Sequence, residues 1–120
     1  MPHDVINLAD KLSKFSDHWS PKIVGSFNGH DLMLVKVQGE FNWHSHSHPD
    51  TDDFFMVLDG EITIKMHDGD ATLGKGEIFV VPKGVEHCPE AKNEAHLLII
   101  EPAGTPNTGD PDTAVEKVTI

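Results

Sequence analysis

Three histidines within five positions, in the run His44-Ser45-His46-Ser47-His48, are the residues of this chain best suited to chemistry. In an extended strand side chains alternate between faces, so all three imidazoles share one face. Successive rings then start about 6.5–7 Å apart at Cα, and two of them can converge on one ion at about 2.0–2.1 Å from each nitrogen. A third ring on the same strand overshoots. Asp53 follows five residues after His48, and His87 comes much later, behind the Pro82-Lys83-Gly84 turn. Two imidazoles from one strand, a carboxylate from the next and a remote imidazole make a donor set for one divalent transition ion such as Fe, Mn, Ni or Zn. Taken alone, the run also reads as a solvated histidine-rich loop.

The spacing around these residues carries more information. Gly76, Pro82, Gly84 and His87 follow the pattern Gly-x5-Pro-x-Gly-x2-His. Counting back from Gly60 across six residues lands on Asp53, and four further residues lead to His48, with His46 two before it. Together these two patterns resemble the motifs of the cupin superfamily, over roughly residues 32–101. Asp53 stands where that family usually carries Glu, and Ala91 where it usually carries Asn. Small cupins that read Trp-His-x-His offer a second register, because Trp43-His44-Ser45-His46 fits that start. The ligand pair is then His44/His46 instead of His46/His48. The second pair is preferred, and His44 is the alternative first ligand.

The resemblance implies a jelly-roll barrel that holds one divalent ion through His46, His48 and His87. Asp53 is a fourth ligand or a hydrogen-bond acceptor beside the ligands. It also implies a homodimer and, as function, a metal-dependent enzyme of oxygenase or isomerase type acting on a small polar metabolite. The alternative is a binding or sensing module whose metal is structural or anchors a ligand, since a fold does not settle chemistry. Mannose-6-phosphate isomerase-like labels are common among small cupins. All nine basic residues here are lysines, however, so the guanidinium fork that grips phosphate is missing.

The elements that must position these residues can also be read. Val5, Leu8, Ala9 and Leu12 recur at helical spacing behind a possible Asp4 cap, which predicts one helix of about three turns within residues 1–20. From residue 21 the period changes to two: Ile62, Ile64 and Met66 alternate with Glu61, Thr63 and Lys65. Asn28-Gly29, Asp59-Gly60 and Asp68-Gly69 are hairpin signals, because two-residue hairpin turns favour positive φ at both central positions. The fold class is therefore all-β: a single barrel over residues 21–101, preceded by one helix and followed by an irregular tail over 102–120.

Within that barrel, parity assigns faces. If Asp53 points inward, so do Phe55 and Val57, forming a pocket wall. Phe41 and Trp43 take the opposite parity to the histidines and are expected against the helix or a partner subunit. Cys88 follows His87 and should point away from the ion as a buried, inert thiol. The stretch Ala95–Glu101 is apolar on both faces, and inward placement of His96 with Leu98 and Ile100 makes His96 either a hydrogen-bonded core histidine, the preferred reading, or a weak candidate acid or base.

Composition bounds the partners. The 120 residues suffice for one domain with one core. A net charge of -11 argues against nucleic acid and against an anionic membrane surface, which leaves a small-molecule ligand as the expected partner. One cysteine and no long apolar run lead to the expectation of a cytoplasmic protein.

Overall fold

The computed structural model describes residues 3–43, 51–106 and 116–120. Its elements run α1 (Leu8–Leu12), β1 (Lys22–Phe27), β2 (His30–Glu40), β3 (Asp53–Asp59), β4 (Glu61–Met66), β5 (Gly69–Gly74), β6 (Ile78–Val81), β7 (His87–Pro102) and β8 (Val118–Thr119). None of the described helices is long and apolar enough to cross a membrane.

The sixteen-residue β7 organises the sheet. One edge pairs with β2 along most of its length, from His30↔Pro102 to Glu40↔Glu90. Its other edge changes partner: the first residues pair with β4, from Met66↔His87 to Thr63↔Glu90, and the last with β3, from Asp59↔His96 to Phe54↔Ile100. A strand that serves two neighbours in this way must bend, and β2 and β3 shift register opposite residues 91–95 and 96–97. Such irregularities are how a sheet turns a corner and wraps into a barrel.

Inside, alternation gives one apolar cluster. Met33, Val35 and Val37 of β2 meet Phe55 and Val57 of β3, Ile62 and Ile64 of β4, and Leu97 and Ile99 of β7. Each strand contributes every second residue, as a half-buried antiparallel strand should.

Four expectations change. The helix has five residues and Asn7 as its cap, whose side chain accepts from the Asp10 amide at 2.9 Å. Val5 and Ile6 are exposed and the helix buries no residue, so no apolar face extends it. Among the three hairpin signals, only Asn28-Gly29 has positive φ at both positions, 50° and 76°. The tail is not wholly irregular: the β-branched pair Val118 and Thr119 adds a parallel strand beside Lys22 and Ile23, and the Ile120 amide donates to the Ile23 carbonyl at 3.0 Å. Finally, β7 buries Ala95, Leu97, Ile99 and Glu101, which leaves His96, Leu98 and Ile100 half-buried on its other face.

Candidate metal centre

Asp53 opens β3 and His87 opens β7, so both side chains stand where a strand enters the barrel. The two loops that lead into these strands are tied together, because the Lys83 amide donates to Asp52 Oδ1 at 2.9 Å. That link brings residues 34 apart in sequence into contact: His87 Nε2 lies 3.0 Å from Asp53 Oδ2. Both are nearly inaccessible, with 4% exposure for Asp53 and 1% for His87. Phe55, two residues along β3, meets the His87 ring edge to face at a centroid distance of 6.1 Å.

The second nitrogen of His87 decides what the pair can do. Its Nδ1 lies 2.8 Å from the Val85 carbonyl oxygen, which can only accept, so Nδ1 carries the hydrogen. In the neutral ring the Nε2 lone pair then faces a carboxylate oxygen. Two acceptors at that distance in a buried setting require positive charge between them, either a proton or a metal ion. A carbonyl on the far nitrogen is also the usual device that orients a metal-binding imidazole. The pair therefore fits one end of a transition-metal site. Among the described residues no set of three His, Cys, Asp or Glu side chains could hold an ion. His44, His46 and His48 lie outside the described residues.

Beside this pair lies a small, partly open cleft with a volume of about 40 Å³. Its walls include Asp53, Phe55, Trp19, Phe41 and Glu101. Phe55 lies where parity put it, and Val57 lies in the apolar core behind it. Phe41 does not: it stacks on Trp19 at 4.8 Å and faces the cleft, because its amide donates to the Pro89 carbonyl at 2.9 Å and pulls the chain over β7. Trp43 stacks on the exposed His67 ring at 4.7 Å and is itself 42% exposed.

Sequence reasoning missed two residues of the cleft. Glu101 is 2% exposed and continues the inward series Ala95, Leu97, Ile99. One step past the Phe54↔Ile100 pair, the register sets it level with Asp53 on the same inner face. The signal was present, since a charged residue ends the apolar run in phase with its buried half. Trp19 had no such signal. It sits on the segment before β1 with φ 59°, its amide donating to the Lys36 carbonyl at 2.8 Å and its indole to the Gln38 carbonyl at 2.9 Å.

His96 does not join this cleft. It stands on the other face of β7, with Nε2 3.3 Å from Glu94 Oε2, and His18 Nε2 lies 2.7 Å from the other oxygen of the same carboxylate. The two imidazoles hold the Glu94 carboxyl below its ordinary range, His18 contributing more. Cys88 points away from His87, as alternation requires, and its thiol lies 3.4 Å from the Phe41 carbonyl. Burial pushes that thiol upward, and the nearby Glu40 charge adds to the effect.

A barrel whose long strand is shared between two neighbours on one edge, with a carboxylate and an imidazole at the strand entries, is the architecture of a cupin. Residues 31–101 match the family model described as Cupin domain, and the chain belongs to the cupin family. A cupin-2 domain containing protein from Shewanella frigidimarina, known from a crystal structure, is 50% identical, with a TM-score of 0.79 over 82% of this chain and 94% of that one. The uncharacterized protein YdbB of Bacillus subtilis is 37% identical over 90 residues, 65% of this chain and 77% of its own length. A 3-hydroxyanthranilate 3,4-dioxygenase of Brucella anthropi is 34% identical over 85 residues, 64% of this chain. The chain spans 46% of that enzyme's length, and 42% and 43% of its counterparts from Jannaschia and Ruegeria pomeroyi.

Proposed function

We propose that the chain is a metal-dependent enzyme of the oxygenase type that acts on a small metabolite in the cytoplasm. The observation that carries this reading is the buried His87–Asp53 pair, whose facing acceptor atoms call for positive charge between them. His87 and Asp53 would hold one divalent ion together with His46 and His48, or with His44 and His46 in the other register. Such an ion supplies Lewis acidity and, if it is iron or manganese, one-electron chemistry toward dioxygen as co-substrate. Dioxygenase relatives at 34–35% identity favour oxygen chemistry over isomerisation.

The chain's own residues supply the remainder. The Val85 carbonyl holds the His87 tautomer, so Nε2 keeps its lone pair toward Asp53. Trp19, Phe41 and Phe55 keep one side of the cleft apolar. Glu101 sets a second buried carboxyl group in the wall of the cleft beside Asp53.

Oxygen uptake by iron-loaded protein offered hydroxylated and aminated aromatic compounds tests the reading. Consumption of about one O₂ per ligand consumed, abolished in His87→Ala, is the expected result. Tight stoichiometric metal with no oxygen uptake across the panel would instead make the chain a binding module.

A further inference from the structure

Outside the cleft, one set of contacts joins the two stretches of chain that lead into the proposed ligands. In the sheet β7 lies between β4 and β2, and its opening residues pair with both. The β4 pairing ends at Met66↔His87, so the next step of that register sets His67 level with Glu86. His67 Nε2 lies 2.5 Å from Glu86 Oε1. An ionised carboxylate only accepts, so Nε2 carries the hydrogen and donates it, whether the ring is neutral or charged.

On the other side of β7 the chain runs on past β2, the Phe41 amide donating to the Pro89 carbonyl at 2.9 Å. Two residues later Trp43 reaches His67 and stacks on it, with centroids 4.7 Å apart and planes within 8°. Because Trp43 follows β2 and His67 follows β4, the stack spans β7 at the end where His87 stands. His67 thus holds one neighbour from each side of that strand opening.

This contact adds little to the fold. The side chains of His67 and Glu86 are 71% and 52% exposed, and exposed ion pairs contribute little to stability. Its place in the chain matters more, since Trp43 immediately precedes His44 and Glu86 immediately precedes His87. A backbone position three residues from a fixed one lies within about 11 Å of it, so anchoring Trp43 confines where His44 and His46 start. Order imposed before binding is entropy that binding does not lose.

On the reading above of an ion at the His87–Asp53 pair, we propose that His67 is a positioning residue for the metal site. By stacking on Trp43 and donating to Glu86 it ties together the chain positions that lead into His44 and His87, and so lowers the ordering that metal binding demands.

Zn(II) affinity measured by chelator competition tests this, counting only the ion that His87→Ala removes. His67→Ala and Trp43→Ala should each weaken binding about five- to tenfold. The double variant should lose no more than either single one, because both remove the same contact. His67→Phe keeps a flat ring over Trp43 and should return to within about twofold of wild type. The urea midpoint of the metal-free protein should barely move in any of them. Unchanged affinity in His67→Ala, additive losses in the double variant, no recovery in His67→Phe, or a metal-free midpoint that falls with affinity would overturn the inference while the metal reading stands. Wild-type protein that binds no Zn(II) dependent on His87 would overturn the metal reading, and this inference with it.

Discussion

At the level of single residues, neighbours assign chemistry more than residue type does. Of the histidines placed by the structure, His87 is buried against a carboxylate with its far nitrogen fixed by a carbonyl, while His96 and His18 share a surface carboxylate. The sequence made His87 legible through the Pro82-x-Gly84 turn before it, and Asp53 through its spacing to Gly60. His96 was misread because strand parity counted along an apolar run has two solutions, and only the position of the register shift chooses between them. Cys88, expected to be a buried and inert thiol, is buried, and its surroundings allow a prediction of its reactivity. Burial holds its thiol above the ordinary range of a free cysteine. The thiolate is the reactive form, so Ellman's reagent at pH 8 should label almost no folded protein and all of the urea-unfolded protein. Rapid labelling of the native form would contradict its placement.

At the level of elements, β7 and the register shifts that let one of its edges serve two neighbours decide the architecture. Many short strands and their turns could be counted from the chain, but not the pairing of one strand with β4 at its start and β3 at its end. Register is set by packing across the barrel, which a one-dimensional period does not contain. The helix and the tail were misjudged for the same reason: their fate depends on whether an apolar face finds a partner. Gly60 shows how tightly the corner is closed. It sits at φ 86°, and a Cβ there would lie 3.0 Å from Ala95 Cα and 3.1 Å from the Glu94 carbonyl oxygen. Both the conformation and the space require glycine. Gly60→Ala should lower stability by about 2–3 kcal/mol, read as a lower urea midpoint with unchanged slope. Gly76→Ala, equally positive in φ but with open space around it, should cost about 1 kcal/mol. Equal losses at the two positions would remove the case for a packed corner.

At the level of the whole molecule, a chain of 120 residues with net charge -11 forms a barrel in which, among the described residues, one outer edge is apolar. Among the described strands β6 pairs only with β3, and its outward residues Ile78 and Val80 are 59% and 44% exposed. An uncovered apolar edge invites a second copy. The proposed homodimer should therefore be seen by light scattering in wild type and give way to monomer in Ile78→Glu/Val80→Glu; a dimer unaffected by these changes would place the interface elsewhere. The central claim, a metal held at the His87–Asp53 end of the cleft, is tested most directly by elemental analysis of tag-free protein purified without added metal. The account predicts about one first-row divalent ion per chain, falling to a tenth or less in His87→Ala and in His46→Ala, and lost in whichever of His44→Ala and His48→Ala marks the true register. Substoichiometric, mixed metal that His87→Ala leaves unchanged would contradict it, and would leave His87 and Asp53 as a buried ion pair that shares a proton.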